Sequence, residues 1–167
     1  MATPSRSTKG ELLELVGAIV LSTQDAEMYL KFILPFTDSN DPSISSALAR
    51  HAKLKKRTFG DLVGKFVGSS TSESLALAQH LANLVDQRNR IVHHFGETYG
   101  SQLRSGDSQQ VIVSLQTLQA NVDGFRVALE QAALNLLETL RDVTFSGTPE
   151  YEDYANLCAL FRQRVAS

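Results

Sequence analysis

Apolar residues in this chain recur at intervals of three and four, in segments separated by glycine, proline and short polar stretches. That spacing places the apolar side chains on one face of an α-helix, whereas a half-buried strand would alternate every second residue. The pattern predicts a first helix from about Thr8 to Leu34, ended by Pro35. A short second helix is predicted from the turn residues Asp41 to Ser43 as far as about Leu54, and a third begins near Thr58.

The second half of the chain repeats this pattern in longer segments. Thr71 or Ser72 is the predicted N-cap of a fourth helix that ends near Gly96, and "ETYGSQLRSGDSQ" is predicted to be a loop. A long helix from about Ser108 to Asp142 alternates three- and four-residue spacing at Leu115, Leu118, Val122, Phe125, Leu129, Ala132, Leu136 and Leu140. A last helix is predicted from about Pro149 to Val165. The fold class that follows is all-α, an antiparallel helical bundle of about five or six helices.

Length and composition agree with a single folded domain over residues 1–167. Residues 1–8 of this domain are expected to form a flexible N-terminus. The 167 residues are 43% hydrophobic and 20% charged, a balance typical of globular proteins. We find no signal peptide and no apolar run of membrane-spanning length, so we expect a cytoplasmic protein without a membrane partner. The single cysteine, Cys158, allows no internal disulfide and is expected in the core.

The net charge of −2, from 16 basic and 18 acidic residues, does not by itself indicate a nucleic-acid-binding protein. Positive charge is concentrated locally in "RHAKLKKR". This run begins at Arg50 and includes Lys53, Lys55, Lys56 and Arg57. Two interpretations stay open: a basic patch that meets phosphates, and a solvated helix end.

An arginine interrupts the apolar stripe of the fourth helix. In "LANLVDQRNRIVHHFGETYG", Arg88 falls near the line of Leu77, Leu81, Leu84, Ile91 and Phe95. A buried arginine needs a partner, and Glu27 lies on the apolar face of the first helix. One interpretation is therefore structural, with an Arg88–Glu27 ion pair between two helices and His93 and His94 at the surface. His80, close to the stripe, is expected in the core.

The same residues allow a second interpretation, because "RNRIVHHF" resembles the Arg-x4-6-His signature of the HEPN superfamily of helical domains. The long first helix with its mid-helix Glu27 and the segment "RTFGDLVGKF" are similar in character to the same family. The resemblance implies a metal-independent endoribonuclease that works as a homodimer in a toxin, defence or stress-response setting, with an antitoxin or regulatory protein as a possible partner. Phe95 departs from the family's toxins, which commonly carry tyrosine at that position.

The resemblance assigns catalysis to Arg88, Asn89 and His93, with Glu27 and His94 in support. RNA cleavage through the 2′-hydroxyl needs proton transfer and positive charge on the developing phosphorane. Histidine titrates near neutral pH, and a guanidinium binds phosphate oxygens through two hydrogen bonds. Asn89 is expected to orient the phosphate or the histidine. We assign RNA contacts to the basic side chains Lys53, Lys55, Lys56, Arg57 and Arg90. No metal or cofactor is expected, because the histidines lack a cluster of further ligands.

Geometry constrains how such a site forms. Five residues along a straight helix separate Arg88 and His93 by about 140°, too far to converge easily on one phosphate. Either the helix distorts there, or a two-fold dimer supplies a histidine from each subunit. The competing functional hypothesis is a non-catalytic helical interaction or regulatory module on the same scaffold, which the nearly neutral overall charge favours.

Overall fold

The computed structural model describes residues 6–37, 44–69 and 75–165, and these parts of the chain are helical and contain no strand. A 3₁₀ turn at Leu34–Phe36 follows the first helix, and a π-helical turn at Leu140–Thr144 follows the fifth. This confirms the all-α helical bundle. No helix in the described ranges is long and apolar enough to cross a bilayer. The six helices are α1 (Arg6–Ile33), α2 (Ile44–Leu54), α3 (Phe59–Ser69), α4 (Leu75–Ser105), α5 (Ser108–Thr139) and α6 (Tyr151–Val165).

Most helix boundaries agree closely with the sequence pattern. Pro35 ends α1 at Ile33, because proline has no backbone N–H to continue the helix, and its ring is buried in the 3₁₀ turn. The predicted start of α2 at Asp41–Ser43, the predicted N-caps Thr71 and Ser72, and residues 1–5 lie outside the described residues. Cys158 is fully buried, as expected.

The long helices α1 and α5 form the centre of the bundle and run in the same direction. The Ser22 hydroxyl donates to Asp123, and the Tyr29 hydroxyl donates to Glu130, so both helices advance by seven residues between the two bonds. These two neighbouring helices are therefore parallel, unlike the antiparallel neighbours that the sequence pattern predicted. Side chains that are fully buried in this core include Ile19, Leu30, Val111, Leu115, Val122 and Leu129.

Helix α4 is longer than predicted. It continues through Gly96 to Ser105, so the predicted end near Gly96 and most of the predicted loop were wrong. The physical reason is that Phe95, Tyr99 and Leu103 extend the apolar stripe at four-residue spacing and pack partly buried against the core. The chain reverses instead at Gly106, whose φ of 90° suits glycine.

A local distortion interrupts α4 at His94, whose φ of −131° and ψ of 25° are not helical. Before this point α4 packs closely on α3: a Cβ at Gly60 would lie 3.3 Å from Cγ1 of Val85. Arg88 lies about one turn beyond Val85. The close packing of α3 on α4 thus fixes the part of the helix that carries the candidate catalytic residues.

Candidate active site on helix α4

Arg88 is half-buried and has an unusual set of partners. Its Nη1 donates a hydrogen bond of 3.1 Å to Oδ1 of the adjacent Asn89, which is also half-buried. Its Nε is buried and has no hydrogen-bond partner. Among the described residues no carboxylate forms an ion pair with this guanidinium. The positive charge of Arg88 is therefore held in place by a neutral amide and is not compensated by an acid within that part of the chain.

The predicted ion pair between Arg88 and Glu27 was wrong. Oε1 of Glu27 instead lies 2.6 Å from Nζ of Lys31, one turn further along α1. The same Lys31 ammonium donates a 3.2 Å hydrogen bond to the backbone carbonyl of Lys55. A lysine four residues away reaches a glutamate within the same helix, so the charge of Glu27 is offset locally. Glu27 consequently forms no hydrogen bond or ion pair with Arg88 or Asn89.

His93 is exposed, and its ring lies edge-on to that of His94 with 6.4 Å between the centroids. The backbone from Arg88 to His93 keeps helical dihedrals, because the distortion begins one residue later. It therefore leaves the angular separation of Arg88 and His93 at about 140°. The structure brings Arg88 and Asn89 together. His93, four residues after Asn89, lies on the same helical face as Asn89, but it forms no hydrogen bond with Arg88 or Asn89.

His94 lies at the distortion itself. Its Nδ1 is 3.0 Å from Oε2 of Glu97, and both side chains are mainly exposed. His94, which was expected to support catalysis, is thus adjacent to His93 and already has Glu97 as its partner. His80, expected in the core, is exposed, and Leu77 of the predicted stripe is 41% exposed, because the first turns of α4 project beyond the tightest packing.

The predicted RNA-contacting residues divide into separate groups. Arg90 is exposed on α4 and lies 2.9 Å from Asp86, one turn before it. Lys55, Lys56 and Arg57 are exposed just after the end of α2 at Leu54. Lys53 is exposed as well, but it lines a cavity that the other three do not line.

Tyr99 lies beyond the distortion and packs on Phe95, with 5.2 Å between the ring centroids. Burial raises the pKa of the Tyr99 hydroxyl, and the positive charge of Arg90 partly opposes this. The predicted loop at this position is therefore a packed helical segment close to the candidate site.

Sequence reasoning missed a buried polar cluster between α1 and α5. Glu130 is 7% exposed and accepts hydrogen bonds from the Tyr29 hydroxyl at 2.7 Å and from Nη1 of Arg126 at 3.1 Å. The available signal was a glutamate directly after Leu129 on the apolar face of the long helix. Because both oxygens of Glu130 have partners within the bundle, we interpret this cluster as structural.

Comparisons of this chain with protein-family models, with curated proteins and with solved structures find no match. Among the described residues, no three histidine, cysteine, aspartate or glutamate side chains are placed to hold a metal ion. The function is therefore argued from the geometry of Arg88, Asn89 and His93.

Proposed function

We propose that this protein is a metal-independent endoribonuclease of the HEPN type, active as a homodimer in a toxin, defence or stress-response setting. The observation that carries the proposal is the state of Arg88. It is half-buried on an otherwise apolar stripe, a neutral amide orients it, and it has no acidic partner among the described residues. A guanidinium held in this way needs an anion, and an RNA phosphate supplies one.

The residues support an ordinary transesterification. A base removes the proton from the 2′-oxygen, which attacks phosphorus, while the bond to the 5′-oxygen breaks and an acid protonates that oxygen. Arg88 stabilises the additional negative charge on the phosphorane oxygens. Asn89 keeps the guanidinium in position through its Oδ1. His93 is exposed and can accept or donate the proton.

The position of His93 supports a dimer. On one chain His93 and Arg88 project about 140° apart from the helix and share no hydrogen bond, so a cleft between two copies would place an imidazole and a guanidinium on the same phosphate. Two copies related by a two-fold axis supply two histidines, one to act as base and the other as acid. Arg90 and the basic residues after α2 would then bind flanking phosphates, giving salt-dependent affinity.

The direct test is cleavage of mixed RNA by purified protein in EDTA. We expect the wild type to cut, and we expect Arg88→Ala and His93→Ala to lose at least about a hundredfold in rate, the usual minimum for removing an acid–base group or a donor that stabilises the transition-state charge. Matched controls on the same helix are His80→Ala and Arg104→Ala, which remove an exposed histidine and an exposed arginine. RNA left intact by the wild type, or cut equally well by His93→Ala, would contradict the proposal.

The second candidate is a non-catalytic interaction module. It is favoured by Leu13 and Leu21 of α1, each 64% exposed, because large exposed apolar side chains on a helix are common at protein interfaces. The same assay separates the two functions. An interaction module leaves RNA intact in every tube, and Leu13→Ser or Leu21→Ser would release its partner.

A further inference from the structure

A second region of positive charge lies away from Arg88 and His93, around a cavity of about 380 Å³. The 3₁₀ turn after α1, the last turns of α2 and the end of α3 enclose it. The buried side chains Leu34, Pro35 and Leu54 form an apolar floor, and Thr37 and Ser69 lie at the rim. Three cationic side chains complete the wall: Arg50, Lys53 and Lys65.

Helical spacing brings these cations together. Arg50 and Lys53 are three residues apart on α2 and so share a face, while Lys65 approaches from α3. Nε of Arg50 donates a 2.7 Å hydrogen bond to the carbonyl of Pro35, which anchors the arginine to the cavity floor. Within the part of the chain that the structure describes, Lys53 and Lys65 have no hydrogen-bond or ion-pair partner.

No described residue of this cavity balances the charges of Lys53 and Lys65. Among the described residues that line it there is no aspartate or glutamate. Like charges around one cavity repel each other, and an anion between them converts that repulsion into attraction. A volume of about 380 Å³ is within the range of small-molecule sites, which combine an apolar lining with a few charged groups.

We propose that this cavity binds the phosphate group of a nucleotide, either free or within an RNA strand. Lys53 and Lys65 contact the phosphate from two helices, and the apolar floor accommodates the base or sugar. The proposal is independent of the ribonuclease proposal, because neither Arg88 nor His93 lines the cavity. It also separates Lys53 from Lys55, Lys56 and Arg57, with which it shares a basic run in the sequence.

The test compares a cavity variant with a charge-matched control. Lys53→Gln/Lys65→Gln removes two charges from the wall, and Lys55→Gln/Lys56→Gln removes two charges from the adjacent surface. Isothermal titration calorimetry with adenosine monophosphate measures Kd for both variants and for the wild type. We expect Kd to rise about tenfold or more in the cavity variant, the loss typical of a hydrogen bond to a charged group, and less than about threefold in the control.

A third variant blocks the cavity without changing any charge. Gly68 lines it, and a Cβ at Gly68 meets no side chain and no backbone of another element within 4 Å. We therefore expect Gly68→Leu to be tolerated and its side chain to take up cavity volume. Thermal melts confirm that it folds. We expect Gly68→Leu to weaken binding about as much as the double cavity variant does.

A second probe distinguishes a free nucleotide from a phosphate within an RNA strand. This probe is a 2′-O-methyl RNA oligonucleotide, which cannot be cleaved through its 2′-oxygen. If Gly68→Leu weakens oligonucleotide binding, the cavity takes a phosphate of the strand. If it weakens only the mononucleotide, the cavity takes a free nucleotide. Lys55 and Lys56 are assigned to phosphates of a bound strand, so the cavity and control variants are compared with adenosine monophosphate only. Equal losses of adenosine monophosphate affinity in these two variants, or no binding of either probe by the wild type, would overturn the proposal.

Discussion

The Tyr29 hydroxyl donates a 2.7 Å hydrogen bond to Oε1 of Glu130, and this contact joins the two central helices in the core. Nη1 of Arg126 occupies the other carboxylate oxygen at 3.1 Å. The Tyr29–Glu130 and Ser22–Asp123 bonds together fix the parallel register of α1 and α5, since a shift of either helix along its axis would break both bonds. Burial of the Glu130 carboxylate costs free energy, and the hydrogen bonds from both donors offset that cost.

Tyr29→Phe should therefore destabilise the fold although it removes only one oxygen. The variant leaves a buried carboxylate oxygen without its donor, which costs about 1–3 kcal/mol. The ring itself still packs on Phe161, now 5.8 Å away between centroids, so no cavity is formed. Urea unfolding measures the change, with exposed Tyr151→Phe as the control. Equal stability of the two variants would show that the Tyr29–Glu130 bond does not hold the helices together.

The separation of Arg88 from Glu27 is tested by a double-mutant cycle. Glu27→Gln, Arg88→Met and the double variant should give a coupling energy below about 0.5 kcal/mol, as for sites that share no partner. Glu27→Gln alone should cost no more than about 1 kcal/mol, because its partner Lys31 is on the same partly exposed surface. A coupling energy of several kcal/mol would show that Arg88 and Glu27 form an ion pair between the helices. It would remove the main support for the proposal that Arg88 binds an RNA phosphate.

Two glycines near the candidate site should respond in opposite directions to alanine. Gly96 lies inside α4, so Gly96→Ala is expected to stabilise the protein by about 0.5–1 kcal/mol. Gly106 has a φ of 90°, so Gly106→Ala is expected to destabilise it by about 1 kcal/mol or more. Neither new methyl group meets another atom within 4 Å, so packing does not confuse the comparison. A loss of stability in Gly96→Ala would instead favour the helix end predicted from the sequence.

The contrast between these glycines shows what the sequence could predict. Apolar periodicity was sufficient for the helical bundle and for the C-terminal end of α2 at Leu54, and Pro35 was sufficient for the end of α1. It was misleading at Gly96, where glycine suggested an end but Phe95 and Tyr99 continue the buried face.

The contacts of Arg88 could not be predicted from the sequence. The position of Arg88 on an apolar stripe indicated a charge that needs a partner. Which glutamate is buried depends on the relative positions of α1 and α5. In the structure Glu130 is buried, and Glu27 is only partly buried. The position of Lys53 and Lys65 on the wall of one cavity likewise depends on how α2 and α3 pack, and periodicity along one helix does not reveal that packing.

The raised pKa of Tyr99 predicts a loss of stability at alkaline pH. Below the ordinary value of 10.0 the hydroxyl is protonated in both states and contributes no pH dependence. Above it the unfolded chain ionises first, so the free energy of unfolding falls as pH rises through the folded-state pKa. Urea unfolding at about pH 9 and pH 11 should show a smaller decrease in Tyr99→Phe than in the wild type. Parallel decreases would mean that burial does not hold Tyr99 in its neutral form.

The proposed catalytic site, shared between two subunits, predicts how mixed dimers behave. If each phosphate needs a His93 from both subunits, only dimers of two wild-type chains cut, so activity follows the square of the wild-type fraction. Refolding equal amounts of wild type and His93→Ala together should then leave about a quarter of the activity, compared with about half for a site contained in one chain.

His80→Ala, mixed in the same proportion, is the control and should leave the activity unchanged, because this exposed histidine lies far along α4 from His93. An activity of half in the His93→Ala mixture would mean that each phosphate needs one His93 and not two. That result would contradict the assignment of base and acid to the two histidines of a dimer.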